Sequence, residues 1–307
     1  MKWIRKGLIF SASGQFGWMN SHAQVPTPVV IDDIIRIFFA SRKDNNESKI
    51  SFLDVSKDNP KEIIYIHNKP ILLNGRSGLF DEHGLMPSAI CKYKDYYYLF
   101  YSGWSRRTSV PYSNLTGVAK SKDCKNFHKL FEGPILSINK LEPYSATSPC
   151  VDQINNELIM FYCSGTDWIK INGKYEHTYD IKLARSNDCL HWTQNGKTII
   201  SQRNKKEAIT RPYLMIGKDL YYMFYCFRGS DDFRDGTDSY KIGYAYSKNL
   251  TEWIRKDNIN FKGVKESWEA NMMAYPSILS TEKKTYMFYN GNGFGKSGFG
   301  FAELSLL

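Results

Sequence analysis

Pro212-Tyr213-Leu214-Met215-Ile216-Gly217-Lys218-Asp219-Leu220-Tyr221-Tyr222-Met223-Phe224-Tyr225 is the stretch that decides the fold. A proline opens an apolar run, Gly217-Lys218-Asp219 supplies a polar turn, and a β-prone run follows that ends in two aromatics. Residues 240–247 read as a third strand ending in Ala245-Tyr246-Ser247, and Trp253 begins a fourth. The same phrase recurs five times. Its prolines are Pro28, Pro87, Pro149, Pro212 and Pro276, spaced 59, 62, 63 and 64 residues apart. Its aromatic pairs are Phe38-Phe39, Phe100-Tyr101, Phe161-Tyr162, Phe224-Tyr225 and Phe288-Tyr289, spaced 62, 61, 63 and 64. Three copies continue into Ala-x-Ser and, six residues after the serine, an aromatic: Phe127, Trp192 and Trp253.

A period near 60 residues with several strands per unit predicts an all-β, five-bladed β-propeller. The fifth copy reaches Phe299-Gly300-Phe301-Ala302 without a Trp strand, whereas Trp3-Ile4-Arg5-Lys6 repeats Trp253-Ile254-Arg255-Lys256. The N-terminus is therefore expected to supply the outer strand of the last blade and close the ring, which limits exposed sheet edges. Residues 1–307 read as one domain.

Composition narrows the function. The chain carries 41 basic and 31 acidic residues, a formal charge of +10, but its lysines are spread along turns. A generally basic surface is expected, with no nucleic-acid partner. No stretch approaches the roughly 20 apolar residues of a membrane span, and the opening apolar run is too short for a signal peptide. A cytoplasmic location follows as the expectation. None of the six cysteines forms a C-x-x-C pair, so buried thiols are expected, with no metal site and no cofactor.

Loops that precede the first strand of each blade converge at one mouth of a propeller's channel, so ligand groups are sought there. These loops hold His22; Asp81, Glu82 and His83; Glu142; Glu207 and Arg211; and Glu269. Trp104, Trp168 and Trp268 lie outside the repeat, and Arg228 and Asn292 follow the fourth and fifth aromatic pairs. Trp faces stack on sugar rings, while acids, amides and arginines meet hydroxyls and phosphates. The glycine-rich run of residues 290–300 lacks P-loop spacing and reads as a tight connection between strands.

Through the repeated Pro…Phe-Tyr…Ala-x-Ser…Trp phrase, the whole chain resembles the five-bladed propeller glycosidases. That group includes arabinan-, xylose- and fructose-active hydrolases and mannoside phosphorylases. Ser21-His22-Ala23 with Pro26 and Pro28, Phe80 to Ser88, Glu207 to Pro212, and Tyr289-Asn290-Gly291-Asn292 look closest to uncharacterised propellers linked to bacterial surface-polysaccharide synthesis. The resemblance implies action on a glycoside or activated sugar, with a saccharide or sugar-phosphate ligand. Glu207 would be the proton donor, Asp81 would orient water, and Glu269 is a reserve carboxylate. His22, Glu82, Trp104, Glu142, Trp168, Arg211, Arg228, Trp268 and Asn292 would bind substrate. The pattern departs from the hydrolases at His22, where an Asp is expected, and at Ala146-Thr147-Ser148, which has no acid before Pro149. Hydrolysis and transfer both stay open; for a phosphorylase-like or transfer enzyme, Arg211 and Arg228 would hold phosphate and His22 would assist. A non-catalytic glycan-binding module is the alternative.

Overall fold

The computed structural model describes residues 1–234, 236–259 and 261–305. Apart from one helical turn, its regular elements are β-strands, in five antiparallel groups of four. β1 (Lys2–Phe10) belongs to the last group. The first group is β2 (Ser21–Ile31), β3 (Ile34–Arg42), β4 (Ser48–Ser56) and β5 (Ile63–Ile66). The second is β6 (Gly84–Tyr93), β7 (Tyr96–Arg106), β8 (Tyr112–Ser121) and β9 (His128–Lys129). The third is β10 (Ala146–Ile154), β11 (Glu157–Ile171), β12 (Lys174–Ser186) and β13 (Thr193–Ile200). The fourth is β14 (Ala208–Ile216), β15 (Tyr221–Arg228), β16 (Lys241–Ser247) and β17 (Ile254–Lys256). The fifth is β18 (Ala274–Ser280), β19 (Thr285–Asn290) and β20 (Phe299–Ser305), completed by β1. A short helical turn, α1 (Asn292–Gly295), joins β19 to β20.

The strand expected from Trp3-Ile4-Arg5-Lys6 is thus in place, Trp3 opposite Leu304 and Arg5 opposite Ala302. Its packing follows the repeat. In four of the five groups, the aromatic that opens the outer strand sits edge-on to the first aromatic of the preceding group. Phe127 meets Phe38, Trp192 meets Phe100, Trp253 meets Phe161, and Trp3 meets Phe224 at 5.5 Å and 87°. These aromatics weld neighbouring groups. Residues of the first and last groups also share one core, in which Phe39, Ile35 and Ile37 pack with Phe288, Phe299 and Phe301. The innermost strands touch in the order β2, β6, β10, β14, β18 and back to β2.

In four groups a proline marks a bulge, which corrects the register for the first copy; in the second copy the bulge is Ser88, after Pro87. Val25-Pro26, Ser148-Pro149, Arg211-Pro212 and Tyr275-Pro276 all lie where the inner strand slips register against its partner. The residue before each proline has φ between 51° and 57°. Proline disfavours the right-handed helical region for its predecessor, and here the strand bulges with that predecessor in the left-handed region. Pro26, not Pro28, is therefore the first repeat's marker. Each left-handed non-glycine costs on the order of 1–3 kcal/mol and is retained where it aims a side chain.

The six cysteines are free and buried, as expected of structural thiols. No described helix is long and apolar enough to cross a membrane.

Candidate functional site

Bulge residues Val25, Ser88, Ser148, Arg211 and Tyr275 line one cavity of about 380 Å³, where the five inner strands converge. A bulge re-aims a side chain that regular pleating would bury in the sheet. Trp104 and Arg228 extend the wall from the second strands β7 and β15. Trp104 is fixed by donating from Nε1 to Ser48 Oγ at 2.9 Å. Gly84 leaves room for this pair, because a Cβ there would collide with both Ser48 and Trp104.

Arg211 is 1% exposed and donates to the Ser88 carbonyl on β6 and to Thr27 Oγ1 on β2 at 3.0 Å. Burial pulls its pKa down. Arg228 is 4% exposed, donates to the His177 carbonyl at 2.7 Å, and lies 3.7 Å over the Phe233 ring. Arg42 donates to Gln24 at 2.9 Å, and burial lowers its pKa as well. Among the described residues, none of these three guanidinium groups has a carboxylate within ion-pair distance. Glu176 is the carboxylate on the wall, and Arg234 grips it with two bonds of 2.6 and 2.9 Å. Tyr112, Tyr179 and Tyr240 complete an aromatic side. The Tyr112 and Tyr179 hydroxyls are 2.7 Å apart.

Of the residues expected to form the site, Trp104, Arg211 and Arg228 line this cavity. The carboxylates do not. Expected at one mouth, Asp81, Glu207 and Glu269 instead border three other grooves. Their phasing with the repeat has a structural cause. In three groups the acid stands twenty residues before the repeat's Tyr and accepts its hydroxyl: Tyr101 to Asp81 at 3.2 Å, Tyr162 to Glu142 at 2.8 Å, and Tyr289 to Glu269 at 2.5 Å. A nearby cation completes each set: Lys129 for Asp81, Lys182 for Glu142, and Arg5 for Glu269. Glu207 is held by Arg255, the equivalent of Arg5, and Tyr225 donates instead to Asp257 at 2.6 Å. The first copy proves the rule by its absence. Phe39 carries no hydroxyl, and buried Met19 stands twenty residues before it.

The remaining candidates are also engaged elsewhere. Glu82 accepts from the Gly78 amide at 2.8 Å and meets His83 at 3.4 Å. His22 sits at a second bulge bonded to Ser21. Burial first, then Arg42 and Lys296, lowers its pKa to about 4, so it is neutral near pH 7. Trp168 stacks on the buried ring of His177 at 4.1 Å, and Trp268 on Tyr289 at 5.3 Å. Asn292 folds its own loop, accepting from the amides of Asn271 and Met272. The glycine-rich connection nevertheless reaches the wall through Phe294, which follows the left-handed Gly293.

Arg42, Arg234, Glu176, Ser148 and Tyr275 are wall residues that the sequence pattern does not single out as candidates. Position immediately before a repeated proline is the available signal for Ser148 and Tyr275. Nothing local marks Glu176 and Arg234, which the long β11–β12 hairpin and the segment after β15 bring together.

The Tyr–carboxylate pairing predicts an asymmetry. Tyr162→Phe is expected to cost about 1–3 kcal/mol, because Glu142 is fully buried and loses a hydrogen bond. Phe39→Tyr in the first group gains no partner and is expected to destabilise too. Urea unfolding of the two variants checks this.

No family model matches the sequence. Uncharacterized protein Rv1502 of Mycobacterium tuberculosis strain H37Rv is 32% identical over 99% of both chains. The chain belongs to the family of Rv1502. Uncharacterized protein MT1551 of strain CDC 1551 is 31% identical over the same extent. Among solved structures, a glycosyl hydrolase from Bacteroides ovatus superposes with a TM-score of 0.77, covering 99% of this chain and 94% of that one at 16% identity. A protein from work on the GH130 family of mannoside phosphorylases, containing glycoside hydrolases that target β-1,2 mannosidic linkages in Candida mannan, gives 0.75 over 99% and 94%, also at 16%. The Bombyx mori GH32 β-fructofuranosidase BmSUC1 gives 0.64 over 95% and 62% at 14%. The fold is the propeller type of such glycosidases.

Proposed function

We propose that the five strand groups are the blades of a propeller closed by β1, and that the central cavity acts on a saccharide bearing, or reacting with, an anionic group. One observation carries this: Arg42, Arg211 and Arg228, unpaired with any described carboxylate, share a wall with Trp104 and several tyrosines. Aromatic faces suit sugar rings, and fork-shaped guanidinium groups suit phosphate or carboxylate oxygens. The similarity to hydrolases and mannoside phosphorylases supports the sugar half of the reading.

Two-carboxylate hydrolysis is the less suited chemistry. It needs an acid and a base flanking one bond, whereas among the described residues the wall offers Glu176 alone, already bound to Arg234. Glycosyl transfer involving phosphate fits the cationic wall better. A cytoplasmic setting accords with six free buried cysteines, and a part in surface-polysaccharide synthesis is what the sequence resemblance implies.

The test is a panel of disaccharides and aryl glycosides incubated with the full chain, with and without inorganic phosphate, and read by phosphorus NMR and sugar chromatography. Sugar phosphate formed only with phosphate present is the expected result. Equal turnover without phosphate would return the reading to hydrolysis. Glycan binding with no turnover favours a binding module, a second reading encouraged by the Tyr and Arg partners that occupy the repeat's carboxylates.

A further inference from the structure

Arg211 is the one charged side chain among the bulge residues that ring the cavity, and it comes from the fourth group yet bonds to both the first and the second. That span ties three inner strands together. Four residues on the wall have polar atoms with no protein partner: Arg211 Nε, Arg228 Nε, Thr147 Oγ1 and Asn114 Oδ1. Thr147, Arg211 and Arg228 are at least nine-tenths buried. A buried charged or polar group left without a partner is costly, and the two Nε groups can only donate, so an acceptor would complete them. The wall is wet beside Arg228, because the Phe233 ring under it also lies under Arg234 at 4.3 Å. The Arg234 side chain is 55% exposed and Tyr175 is 41% exposed. There the Glu176–Arg234 pair is already neutral.

Resting on the saccharide reading above, we infer that the ligand carries its charge as a terminal phosphate monoester held by Arg211, Arg228 and Thr147. A monoester presents three free oxygens and close to two charges at pH 7. A phosphodiester within a chain has two free oxygens, one charge, and a substituent on each side. Two guanidinium forks and a hydroxyl match the monoester's three oxygens and two charges better than the diester's two and one. The sugar then lies toward Trp104 and Tyr175. The substrate class is a sugar phosphate or a chain end bearing one.

Calorimetric titration of the full chain compares hexose 1-phosphates and 6-phosphates with their methyl phosphodiesters, with neutral methyl hexosides, with hexuronates and with inorganic phosphate. At least one monoester is expected to bind about tenfold or more tightly than its own diester. Arg211→Lys keeps a buried charge but loses the fork, and is expected to weaken the monoester about tenfold or more. Because Arg211 also ties β14 to β2 and β6, thermal unfolding accompanies that variant. Thr147→Val is the second variant. It removes an unpartnered hydroxyl from a buried position and is expected to weaken the monoester several-fold without altering neutral-sugar binding.

Equal affinity for monoester and diester overturns the inference, as does wild-type monoester binding by both variants. Neutral hexosides binding as well as any phosphate also sinks it, but leaves the saccharide reading intact. Inorganic phosphate binding as tightly as every sugar phosphate removes the saccharide reading and leaves only an anion site.

Discussion

Arg255→Ala is expected to lower the stability of the fold by about 3–5 kcal/mol, the usual consequence of stranding a buried charge. The Arg255 guanidinium donates to Glu207 at 2.9 and 3.0 Å and to Asp257 at 2.6 Å. Asp257 also receives the Tyr225 hydroxyl, and Glu207 receives the Arg203 amide at 2.6 Å. Both carboxyl side chains are nearly buried, so removing Arg255 leaves Glu207 without its cation and Asp257 with only the half-exposed Arg203. Urea unfolding near pH 7 reads the loss. The triple variant with Glu207→Gln and Asp257→Asn is expected to recover part of it, since the stranded charges are gone. This decides more than stability. A change below about 1 kcal/mol, the range of an exposed pair, would mean that the network is solvated and Glu207 is free for acid chemistry. A large loss fixes Glu207 as a structural anchor.

Asp152→Asn is expected to flatten the dependence of stability on pH between about 4 and 7. Burial raises the Asp152 pKa to about 7, opposed by the thiol of Cys150 bonded to its Oδ2 at 3.6 Å. The unfolded chain has an ordinary carboxyl near 4. Between these values the folded protein holds a proton that the unfolded chain has released, so stability falls as pH rises through this window and levels off above 7. The full span amounts to up to about 4 kcal/mol at 1.36 kcal/mol per unit. The amide cannot ionise, so the variant is expected to match wild type near pH 4 and to exceed it at pH 8. Melting temperatures from pH 4 to 8 test the sign. A wild type that gains stability across the window, with the variant tracking it, would place the charged form of Asp152 in the folded state.

The repeat is legible because its markers act locally. The Pro predecessor bulges, the polar turn reverses the chain, and the paired aromatics fill the space between sheets; each is a property of a few adjacent residues. Trp3-Ile4-Arg5-Lys6 is equally readable, since it repeats residues 253–256 and plays the same structural part. Trp3 packs on Phe224 and Arg5 holds Glu269, as Trp253 packs on Phe161 and Arg255 holds Glu207. The same regularity misleads the search for chemistry. Carboxylates in phase with a repeat suggest convergence, whereas in three groups the acid is the partner of that group's own Tyr and in the fourth it holds Arg255. Met19 opposite Phe39 is the clue in the sequence that the acid and the hydroxyl come and go together. Function breaks a repeat's symmetry: among the bulge residues Val25, Ser88, Ser148, Arg211 and Tyr275, only one is charged.

By itself the sequence determined the strand period, the five groups and the return of the N-terminal strand to the last of them, because these depend on short-range patterning that repeats. Tertiary structure alone decided which side chains face one another across the centre. Arg211 meets Ser88 and Thr27 over 123 and 184 residues, and Arg234 meets Glu176 over 58. Such pairings are fixed by how twisted sheets pack and where bulges turn a residue inward, and no local pattern encodes that geometry.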